Sequence, residues 1–500
     1  MTAQRDGAWD SLNRRTFDLL VIGAGIIGSR IAYEAAHAGL KVALVDAGDF
    51  GGASSSGSSK LVHGGFRYLP MGDLGLVWES QRERRALMSH VAPQHVHRMP
   101  MVLAAYRGGP TGPAMAGAGV LAYGALCGFR GTGVGLVGAR GAQRLVPSLR
   151  TDGLTVCGLF DEGQTNDARL VFATVAAAVD LGVIALNHAR VTDIAFRPGR
   201  PAIASVRGSV GEGLVEVGFK HVVNAAGAWV DSVRRLEDPF CDPVARLSKG
   251  VHLLLDAAPE WRAGLIVPVE DGRVAMAIPW QGMLMLGTTD TAYEGDPGGC
   301  SVSDSDVAQV LAEASVALPG DMLQREAVRF SFAGLRVLPI GEGSTASAHR
   351  EHLVSTGPHG MVSIAGGKLT THRRIALDVL RRIPEPGLAG VRLVDDALPE
   401  AAGGLEDFDG DIDPGVALHL AQIYGCDSFE VLGQRRRHAN AMERIHPDGP
   451  DVWAQAYHAV EREWATTVED VVRRRTTLAV RGLASAAVRA RIAEAINAVD

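Results

Sequence analysis

The pattern of apolar and polar positions is clearest near the start of the chain. Residues 17–22 are mostly apolar and are typical of a buried parallel strand. Residues 26–38 carry apolar side chains at helical spacing, and a second apolar run covers 42–45. This order predicts a strand, a helix and a second strand of one parallel sheet.

Three glycines join the first strand to the helix in the spacing G-x-G-x-x-G. Gly23 permits a tight turn, Gly25 lets the backbone approach a pyrophosphate, and Gly28 lets the helix pack closely on the strand. The free N–H groups at the start of the helix can receive the anion. Asp46 ends the second strand, where a carboxylate can accept hydrogen bonds from a ribose hydroxyl. The unit therefore predicts dinucleotide binding.

A polar, glycine-rich segment follows at 54–69, with the sequence SSSGSSKLVHGGFRYL. A simple NAD enzyme would continue into further strand–helix repeats. Here the alternation stops, and the segment has the composition of a loop that wraps a ligand. The position of the glycine triplet and this segment together favour FAD as the dinucleotide.

Later patterns predict two more units. Strand-like runs between 247 and 286, separated by turns at 270–272 and 281–282, predict an antiparallel sheet that forms the substrate domain. Beyond about residue 400 only helical patterns remain. We therefore predict an α/β fold of three domains: a discontinuous FAD-binding domain over 17–95, 155–245 and 355–395, a substrate-binding domain over 96–154 and 246–354, and an all-helical C-terminal domain over 400–500.

One stretch raises the question of membrane contact. Residues 108–129 contain no charged side chain, and a segment of this length could span a bilayer. Pro110, Pro113 and many small residues make it a poor membrane helix. A helix and loop within the second domain is the favoured interpretation, and contact with a membrane surface is the alternative.

Composition and charge exclude several classes. The net charge of −7 and the lack of a recognised motif give no support for nucleic-acid binding. The five cysteines are scattered without a C-x-x-C pair, so we expect no disulfide framework, zinc site or iron–sulfur cluster, and a reduced compartment. Residues 1–16 are polar, so no secretory signal is expected.

Several long motifs together resemble one family. They are VIGAGIIG (21–28), the serine-rich run 54–69, NDARL (166–170), NAAGAWV (224–230), KGVHLLL (249–255), LGTTDTAYEGDP (286–297), FAGLRVLP (332–339), GGKLTTHRR (366–374) and VEDVVRRRT (468–476). The chain resembles the FAD-dependent sn-glycerol-3-phosphate dehydrogenases of the aerobic, quinone-linked type, over essentially its whole length.

The resemblance implies a glutathione-reductase-like FAD domain, an antiparallel substrate domain and a helical C-terminal domain. It also implies oxidation of glycerol 3-phosphate to dihydroxyacetone phosphate, with electrons passed to a membrane quinone. The protein is then expected to be cytoplasmic and peripheral on the inner face of the cell membrane. The basic clusters at 435–437 and 473–475 are expected to lie on solvated helix faces. Contact with an anionic lipid surface is the alternative. The sequence does not decide whether the protein forms a homodimer.

The resemblance also implies roles for individual residues. His252 is the candidate base for the hydroxyl proton, Arg336 stabilises the developing alkoxide, and Lys368 completes the catalytic set. The predicted substrate ligands are Arg67, Tyr68 and Arg350, since cationic forked donors suit a phosphate. The predicted cofactor contacts are Gly23, Gly25, Gly28, Asp46, Ser54, Ser55, Ser58, Ser59, Lys60, Gly227, Gly366, Gly367, Leu369 and Thr370. No metal site is predicted.

Alternatives remain at this stage. One is a glycerol-3-phosphate oxidase that reduces oxygen to peroxide, although the extra insertion typical of that type is not found. Another is a related FAD oxidase acting on a different small hydroxy or amino substrate, which would need one carboxylate-binding arginine rather than several cations. A non-catalytic flavoprotein acting as an interaction module is the third. The segment 100–164 diverges most from the family pattern, so substrate identity depends on it.

Overall fold

The computed structural model describes residues 3–66, 73–126, 133–209, 213–257, 260–340, 352–398 and 412–499. Its strands are β1 (Thr16–Ile22), β2 (Val42–Val45), β3 (Leu61–Val62), β4 (Val96–Tyr106), β5 (Gly135–Val137), β6 (Leu154–Thr165), β7 (Ile184–Leu186), β8 (Ala189–Ala195), β9 (Ala202–Gly208), β10 (Leu214–Asn224), β11 (Ala245–Asp256), β12 (Gly264–Pro268), β13 (Val274–Trp280), β14 (Met283–Gly287), β15 (Thr291–Tyr293), β16 (Val328–Pro339), β17 (His352–Thr356) and β18 (Val362–Gly366).

The α-helices are distributed along the whole chain. They are α1 (Ala3–Arg14), α2 (Ile26–His37), α3 (Leu74–Ala86), α4 (Pro113–Leu126), α5 (Ala139–Leu145), α6 (Asp167–Asp180), α7 (Val230–Arg234), α8 (Asp304–Ala314), α9 (His372–Leu380), α10 (Pro414–Tyr424), α11 (Ser428–Gly433), α12 (Trp453–Arg462), α13 (Val468–Asp470) and α14 (Ala486–Val499). Two π-helical turns, Leu87–Val91 and Val471–Arg475, extend α3 and α13.

The first sheet has the strand order β17-β18-β10-β1-β2-β7, with β9 and β8 added beside the first half of β10. The pairs from β18 to β7 are parallel, and β17 closes the edge antiparallel. Alternation along β1 explains the layering. Leu19 and Val21 pack with helices α2, α6 and α9 on one face, while Leu20 and Ile22 pack with β8 and β9 on the other. The predicted strand–helix–strand unit is confirmed.

The second sheet has the order β15-β11-β14-β13-β12-β4-β6-β3, with β16 along β11 and β5 along β6. The hairpin turns predicted at 270–272 and 281–282 join β12 to β13 and β13 to β14. One pairing is parallel: residues 264–266 of β12 lie beside 101–103 of β4. Parallel neighbours need a long crossover, and the residues of the first sheet between these two strands supply it.

The C-terminal helices α10 to α14 pack around two small cores of their own. The α/β fold with a helical C-terminal domain is therefore confirmed. The exact division of the chain into domains stays a prediction. The predicted division assigns β6, from residue 155 on, to the first domain. In the structure this strand pairs with β4 in the second sheet.

Helix α4 accounts for most of the uncharged stretch 108–129. It buries Ala116, Val120 and Tyr123 against the second sheet, while Met115 and Leu121 are 68% and 47% exposed. Among the described helices, none has both the length and the apolar character needed to cross a bilayer. The helix within the second unit is as predicted, with one apolar face left in solvent.

Candidate active site

A cavity of about 1960 Å³ lies between the two sheets. At one end it is lined by the glycine turn and Asp46, and at the other by His252 and Arg336. Most of the predicted site residues line it, although they come from segments far apart in the chain. The carboxyl ends of the parallel strands β1, β2, β10 and β18 all meet there, as expected for a ligand site on such a sheet.

The glycine turn has the geometry that its spacing predicts. Gly23 has a φ of +103°, which L side chains rarely adopt. A Cβ on Gly28 would lie 1.9 Å from the carbonyl oxygen of Gly23, so only glycine lets α2 pack this close to β1. Gly25 lines the cavity just before α2 begins at Ile26, whose N–H donates to the hydroxyl of Ser55 at 2.9 Å.

Asp46 also lines the cavity, at the end of β2. Its carboxylate accepts the N–H of Ala24 at 2.6 Å and of Gly48 at 2.8 Å. Burial raises the pKa of Asp46 to about 6, although these two hydrogen bonds oppose the shift. Each carboxylate oxygen has a second lone pair, so the side chain can still accept from a ribose hydroxyl.

The serine-rich loop is held against the second sheet. The hydroxyl of Ser54 donates to the carbonyl of Leu335 at 2.6 Å. A Cβ on Gly334 would lie 2.3 Å from the carbonyl oxygen of Gly57, so two glycines allow this loop and β16 to touch. The predicted cofactor serines all line the cavity: Ser54, Ser55, Ser58 and Ser59.

The side chain of Lys60, a predicted cofactor contact, is turned towards Asp167 and is not among the residues that line the cavity. Its ammonium group is buried and paired with Asp167 at 2.8 Å, and it donates to the carbonyl of Ser56 at 2.6 Å. It also lies 4.9 Å from the ring centre of Trp280. An unpaired buried ammonium would be costly, and Asp167 at the start of α6 supplies the compensating charge. The Lys60 side chain therefore fixes the loop rather than facing the cavity.

The remaining predicted cofactor residues lie where two strands end. Gly227 follows β10 with a φ of +55°, and a Cβ there would point into open space. The turn after β18 also lines the cavity, and the hydroxyl of Thr370 donates to the carbonyl of His63 at 3.0 Å. The lining residues of this turn are Gly366, Gly367, Lys368, Leu369 and Thr370.

His252 lies in the middle of β11, facing the cavity. Its ring stacks on Phe332 at 4.9 Å, and its Nε2 lies 2.9 Å from the hydroxyl of Ser59. A Cβ on Gly287, directly opposite in β14, would lie 2.6 Å from the imidazole. The ring thus fills a slot that only a glycine neighbour leaves open.

The charge state of His252 follows from its surroundings. Burial, with the nearby charges of Lys60 and Arg336, lowers the pKa of His252 to about 3. The imidazole is therefore neutral at neutral pH. Its Nδ1 is buried without a hydrogen-bond partner among the described residues. A neutral imidazole in a cavity can accept a proton, whereas the protonated ring could not.

Arg336 is fixed by residues 288–290, which were not among the predicted site residues. Its guanidinium donates to the carbonyl of Thr289 at 3.1 Å and the hydroxyl of Thr288 at 3.0 Å, and lies 3.2 Å from Asp290. A Cβ on Gly250 would lie 2.8 Å from this guanidinium. Both threonines lie in LGTTDTAYEGDP, one of the family motifs. The motif marks this segment, but it does not reveal that the threonines hold Arg336.

The predicted substrate ligands Arg67, Tyr68 and Arg350 lie outside the described residues. The loop just before Arg67 is held by a network that sequence reasoning missed. Glu162 accepts the N–H of Gly64 at 2.7 Å, the guanidinium of Arg84 at 2.7 Å and the hydroxyl of Tyr123 at 2.8 Å. These partners come from three separate elements, so no local pattern reveals them.

The cavity fits a dinucleotide carrying a flavin. One end offers the glycine turn and the start of α2 for a pyrophosphate, with Asp46 for the adenosine ribose. The cavity also offers the backbone of Gly227, where a Cβ would have nothing within 4 Å, and the turn 366–370, which lines it. Because Gly227 has no side chain, the cavity stays open next to its backbone.

Comparison with known proteins gives the same result. Residues 18–373 match the family model described as FAD dependent oxidoreductase, and residues 365–499 match the C-terminal domain of alpha-glycerophosphate oxidase. A probable mitochondrial glycerol-3-phosphate dehydrogenase from Caenorhabditis elegans is 32% identical over 93% of this chain and 68% of its own length. The aerobic glycerol-3-phosphate dehydrogenase of Staphylococcus saprophyticus is 30% identical over 95% of this chain and 89% of its own.

A solved structure agrees over nearly the whole molecule. The glycerol-3-phosphate dehydrogenase from Bacillus halodurans, complexed with FAD, is 26% identical and superposes with a TM-score of 0.74 over 99% of this chain and 98% of that one. The glycine turn, the cavity and these matches over full length lead to one conclusion: the chain belongs to the family of FAD-dependent glycerol-3-phosphate dehydrogenases.

Proposed function

We propose that the protein oxidises sn-glycerol 3-phosphate to dihydroxyacetone phosphate and passes the electrons to a quinone at a membrane surface. The observation that carries the chemistry is the placement of His252 and Arg336 in one cavity with the glycine turn. A neutral base beside a fixed cation suits the oxidation of an alcohol, because the hydroxyl must lose a proton while its oxygen gains negative charge.

The electrons and protons balance as follows. The substrate C2 loses a hydride and its hydroxyl loses a proton, which leaves a carbonyl. FAD, when bound, accepts the hydride. His252 takes the proton on a ring nitrogen, since its imidazole is neutral at neutral pH before the substrate binds. Arg336 holds the oxygen from which the proton leaves, because the threonine contacts fix its guanidinium.

The phosphate of the substrate needs cations close to the reacting carbon. Lys368 lines the cavity on the turn after β18, and Arg336 lines it from β16. By the family resemblance, Arg67, Tyr68 and Arg350 add further donors. A cluster of cations selects a phosphorylated substrate over an amino acid, whose carboxylate needs fewer of them.

The apolar end of the cavity supports the quinone as acceptor. Leu74 of α3 and Met115 of α4 both line the cavity and are 53% and 68% exposed, so its mouth lies between these helices. Trp78 and Leu121, 58% and 47% exposed, add further exposed apolar side chains on the same two helices. An exposed apolar rim of this kind is typical of contact with a membrane surface. A quinone could reach the cavity from the lipid phase by this route.

Anaerobic reduction of the flavin tests the proposal. The purified, FAD-loaded protein is mixed with sn-glycerol 3-phosphate without oxygen, and the flavin band near ~450 nm is followed. Rapid bleaching, reversed quickly by a soluble quinone and slowly by air, is expected. Fast reoxidation by air with release of peroxide would identify an oxidase instead. A flavin that bleaches with amino acids but not with glycerol 3-phosphate would overturn the substrate assignment.

A further inference from the structure

The C-terminal domain reaches the cofactor cavity at the end opposite His252. Four residues of one short segment line the cavity there, on α13 and the π-helical turn that follows it: Thr467, Glu469, Asp470 and Arg474. Residues of the loop after β2, from Asp46 to Gly52, and residues 188–191 at the start of β8 line the same cavity. The segment lies beside this loop, because Arg474 donates to Asp49 and Asp470 contacts His188.

Buried ion pairs fix this segment to the loop after β2. Both oxygens of Asp49 are engaged by Arg475, with one contact of 2.9 Å, and Arg474 donates to Asp49 through Nε at 2.5 Å. The side chains of Asp49 and Arg475 are 1% and 0% exposed. Although burial opposes the shift, Arg475 and Arg474 lower the pKa of Asp49. The charges compensate one another, so loss of one partner would leave an uncompensated buried charge.

A second contact ties the same segment to the other wall. Nε2 of His188 lies 3.0 Å from a carboxylate oxygen of Asp470, and the N–H of His188 donates to the carbonyl of Gly48 at 2.8 Å. Potential ligand atoms of Asp49, His188 and Asp470 lie within 4.8 Å of one another. Two guanidinium groups already occupy these carboxylates, and their charge repels a cation. The cluster thus serves to dock the segment rather than to bind a metal.

The position along the cavity identifies the part of the ligand that this segment would meet. Asp46 is the residue suited to the adenosine ribose, and Asp49 lies three residues later on the same loop. The loop is also joined to β8 through the N–H of Ala189, which donates to the carbonyl of Asp46 at 2.7 Å. The walls that surround the adenosine half of the dinucleotide are therefore linked by hydrogen bonds and ion pairs.

We propose that residues 467–475 are part of the FAD site, where they close over its adenosine half, and that the ion pairs to Asp49 hold them there. The C-terminal domain then controls how fast FAD leaves, a role separate from substrate and electron acceptor. The proposal requires that FAD binds in this cavity. It does not require that glycerol 3-phosphate is the substrate.

Hydrogen exchange of the unmodified protein gives the first test. The FAD-free and FAD-loaded forms are compared peptide by peptide. FAD should slow exchange at 46–52 and at 467–475 together, and leave the α10–α11 region of the C-terminal domain unchanged. Protection of 46–52 without any change at 467–475 would overturn the proposal. Neither outcome depends on turnover, so failure of the proposed substrate would not be mistaken for failure here.

The rate of FAD loss gives the second test. Arg474→Met removes a cavity-lining guanidinium but keeps the Asp49–Arg475 pair. Arg444→Met is the matched control, because it removes an ion pair with Asp413 in the same domain away from the cavity. FAD release, measured as the return of free-flavin fluorescence, should be about tenfold faster in Arg474→Met and unchanged in Arg444→Met, a difference of about 1.4 kcal/mol. Equal release rates in both variants and the wild type would contradict the proposal. The melting temperatures of the FAD-free proteins report whether Arg474→Met is folded, and the exchange experiment decides if it is not.

Discussion

The hydroxyl of Ser59 lies 2.9 Å from Nε2 of His252, so a hydrogen bond joins the serine-rich loop to strand β11 of the second sheet. The loop is part of the predicted cofactor site, and the strand carries the predicted base. The bond therefore couples the two halves of the site. It also engages Nε2 of His252, while Nδ1 is buried without a partner among the described residues.

Ser59→Ala should slow the reduction of the flavin. Without the hydroxyl, Nε2 of a buried imidazole loses its partner, and the ring loses the contact that orients it. We expect an anaerobic reduction rate about tenfold lower, with the FAD content retained, for a loss of about 1.4 kcal/mol in the transition state. Ser56→Ala is the control, because its hydroxyl bonds only weakly to the carbonyl of Ala53 and does not line the cavity. An unchanged rate in Ser59→Ala would show that this bond does not orient the base.

The buried His252 should make the protein less stable in mild acid. Its pKa is about 3 in the folded chain and about 6.5 in an unfolded one. Between these values the unfolded chain binds the extra proton, so stability rises with pH across this window and is lost as the pH falls. The slope of the unfolding free energy against pH measures how many more protons the unfolded chain binds. His252→Gln should lower this number by up to about one.

Urea unfolding of the FAD-free protein at a series of pH values measures that slope. His359→Gln, at an exposed histidine, serves as the control and should keep the slope of the wild type. His372 is also buried with a pKa lowered to about 3, mainly by burial, so part of the acid sensitivity should persist in His252→Gln. A slope identical to that of the wild type would mean that His252 is not neutral in the folded chain.

The pair of Lys60 and Asp167 should act as a structural unit. Either Lys60→Met or Asp167→Asn leaves one buried group without its partner, and each should lower the free energy of unfolding by about 3–5 kcal/mol. The double variant should recover part of this loss, because no unpaired charge remains. Urea unfolding of the four proteins gives the coupling energy directly. If the single Lys60 variant keeps full stability but loses FAD, Lys60 contacts the cofactor after all.

Gly28→Ala should disrupt the turn that binds the pyrophosphate. The added methyl would lie 1.9 Å from the carbonyl oxygen of Gly23, backbone that cannot move without opening the turn between β1 and α2. We expect loss of FAD from the purified protein and a lower melting temperature. Gly433→Ala in α11 is the matched control, since a Cβ there has nothing within 4 Å and alanine favours helix. FAD retention in Gly28→Ala would contradict the structural role of this glycine.

Local patterns predicted the parts of the fold whose causes are local. The strand at 42–45 is observed with the same bounds, and Asn166, a residue type that favours the position before a helix, caps α6 by accepting the N–H of Arg169. The sequence could not reveal that Lys60 turns towards Asp167, because burial and a partner 107 positions away decide its direction. The same holds for Asp49 and Arg475, which are 426 positions apart and meet only because the C-terminal domain packs on the loop after β2.

The pairing of β6 could not be predicted from the sequence for a related reason. The predicted division places residues from 155 on in the first domain, and the helix that follows β6 does pack with the first sheet. The strand itself pairs with β4 along 11 positions of the second sheet. Period and composition describe a strand but not its neighbour, so a segment that connects two sheets can be assigned to either one.

The exposed apolar rim at α3 and α4 leads to a final prediction. Trp78 and Leu121 do not line the cavity, so charges there should leave the chemistry of the site intact. We expect Trp78→Glu combined with Leu121→Glu to abolish binding to vesicles of phosphatidylcholine and phosphatidylglycerol, measured by sedimentation. Reduction of a long-chain quinone in those vesicles should fall at least about tenfold, equivalent to about 1.4 kcal/mol. Anaerobic reduction by glycerol 3-phosphate and reoxidation by a soluble quinone should stay at the level of the wild type.

Leu214→Glu provides the comparison, because Leu214 is 52% exposed, close to the 47% of Leu121, but lies at the start of β10 in the first sheet. Vesicle binding and quinone reduction should be normal in this variant. If both substitutions weaken vesicle binding equally, added negative charge rather than the apolar rim is responsible. If the double variant still reduces the long-chain quinone at full rate, the quinone does not enter between α3 and α4, and the uncharged exposed face of α4 has another cause.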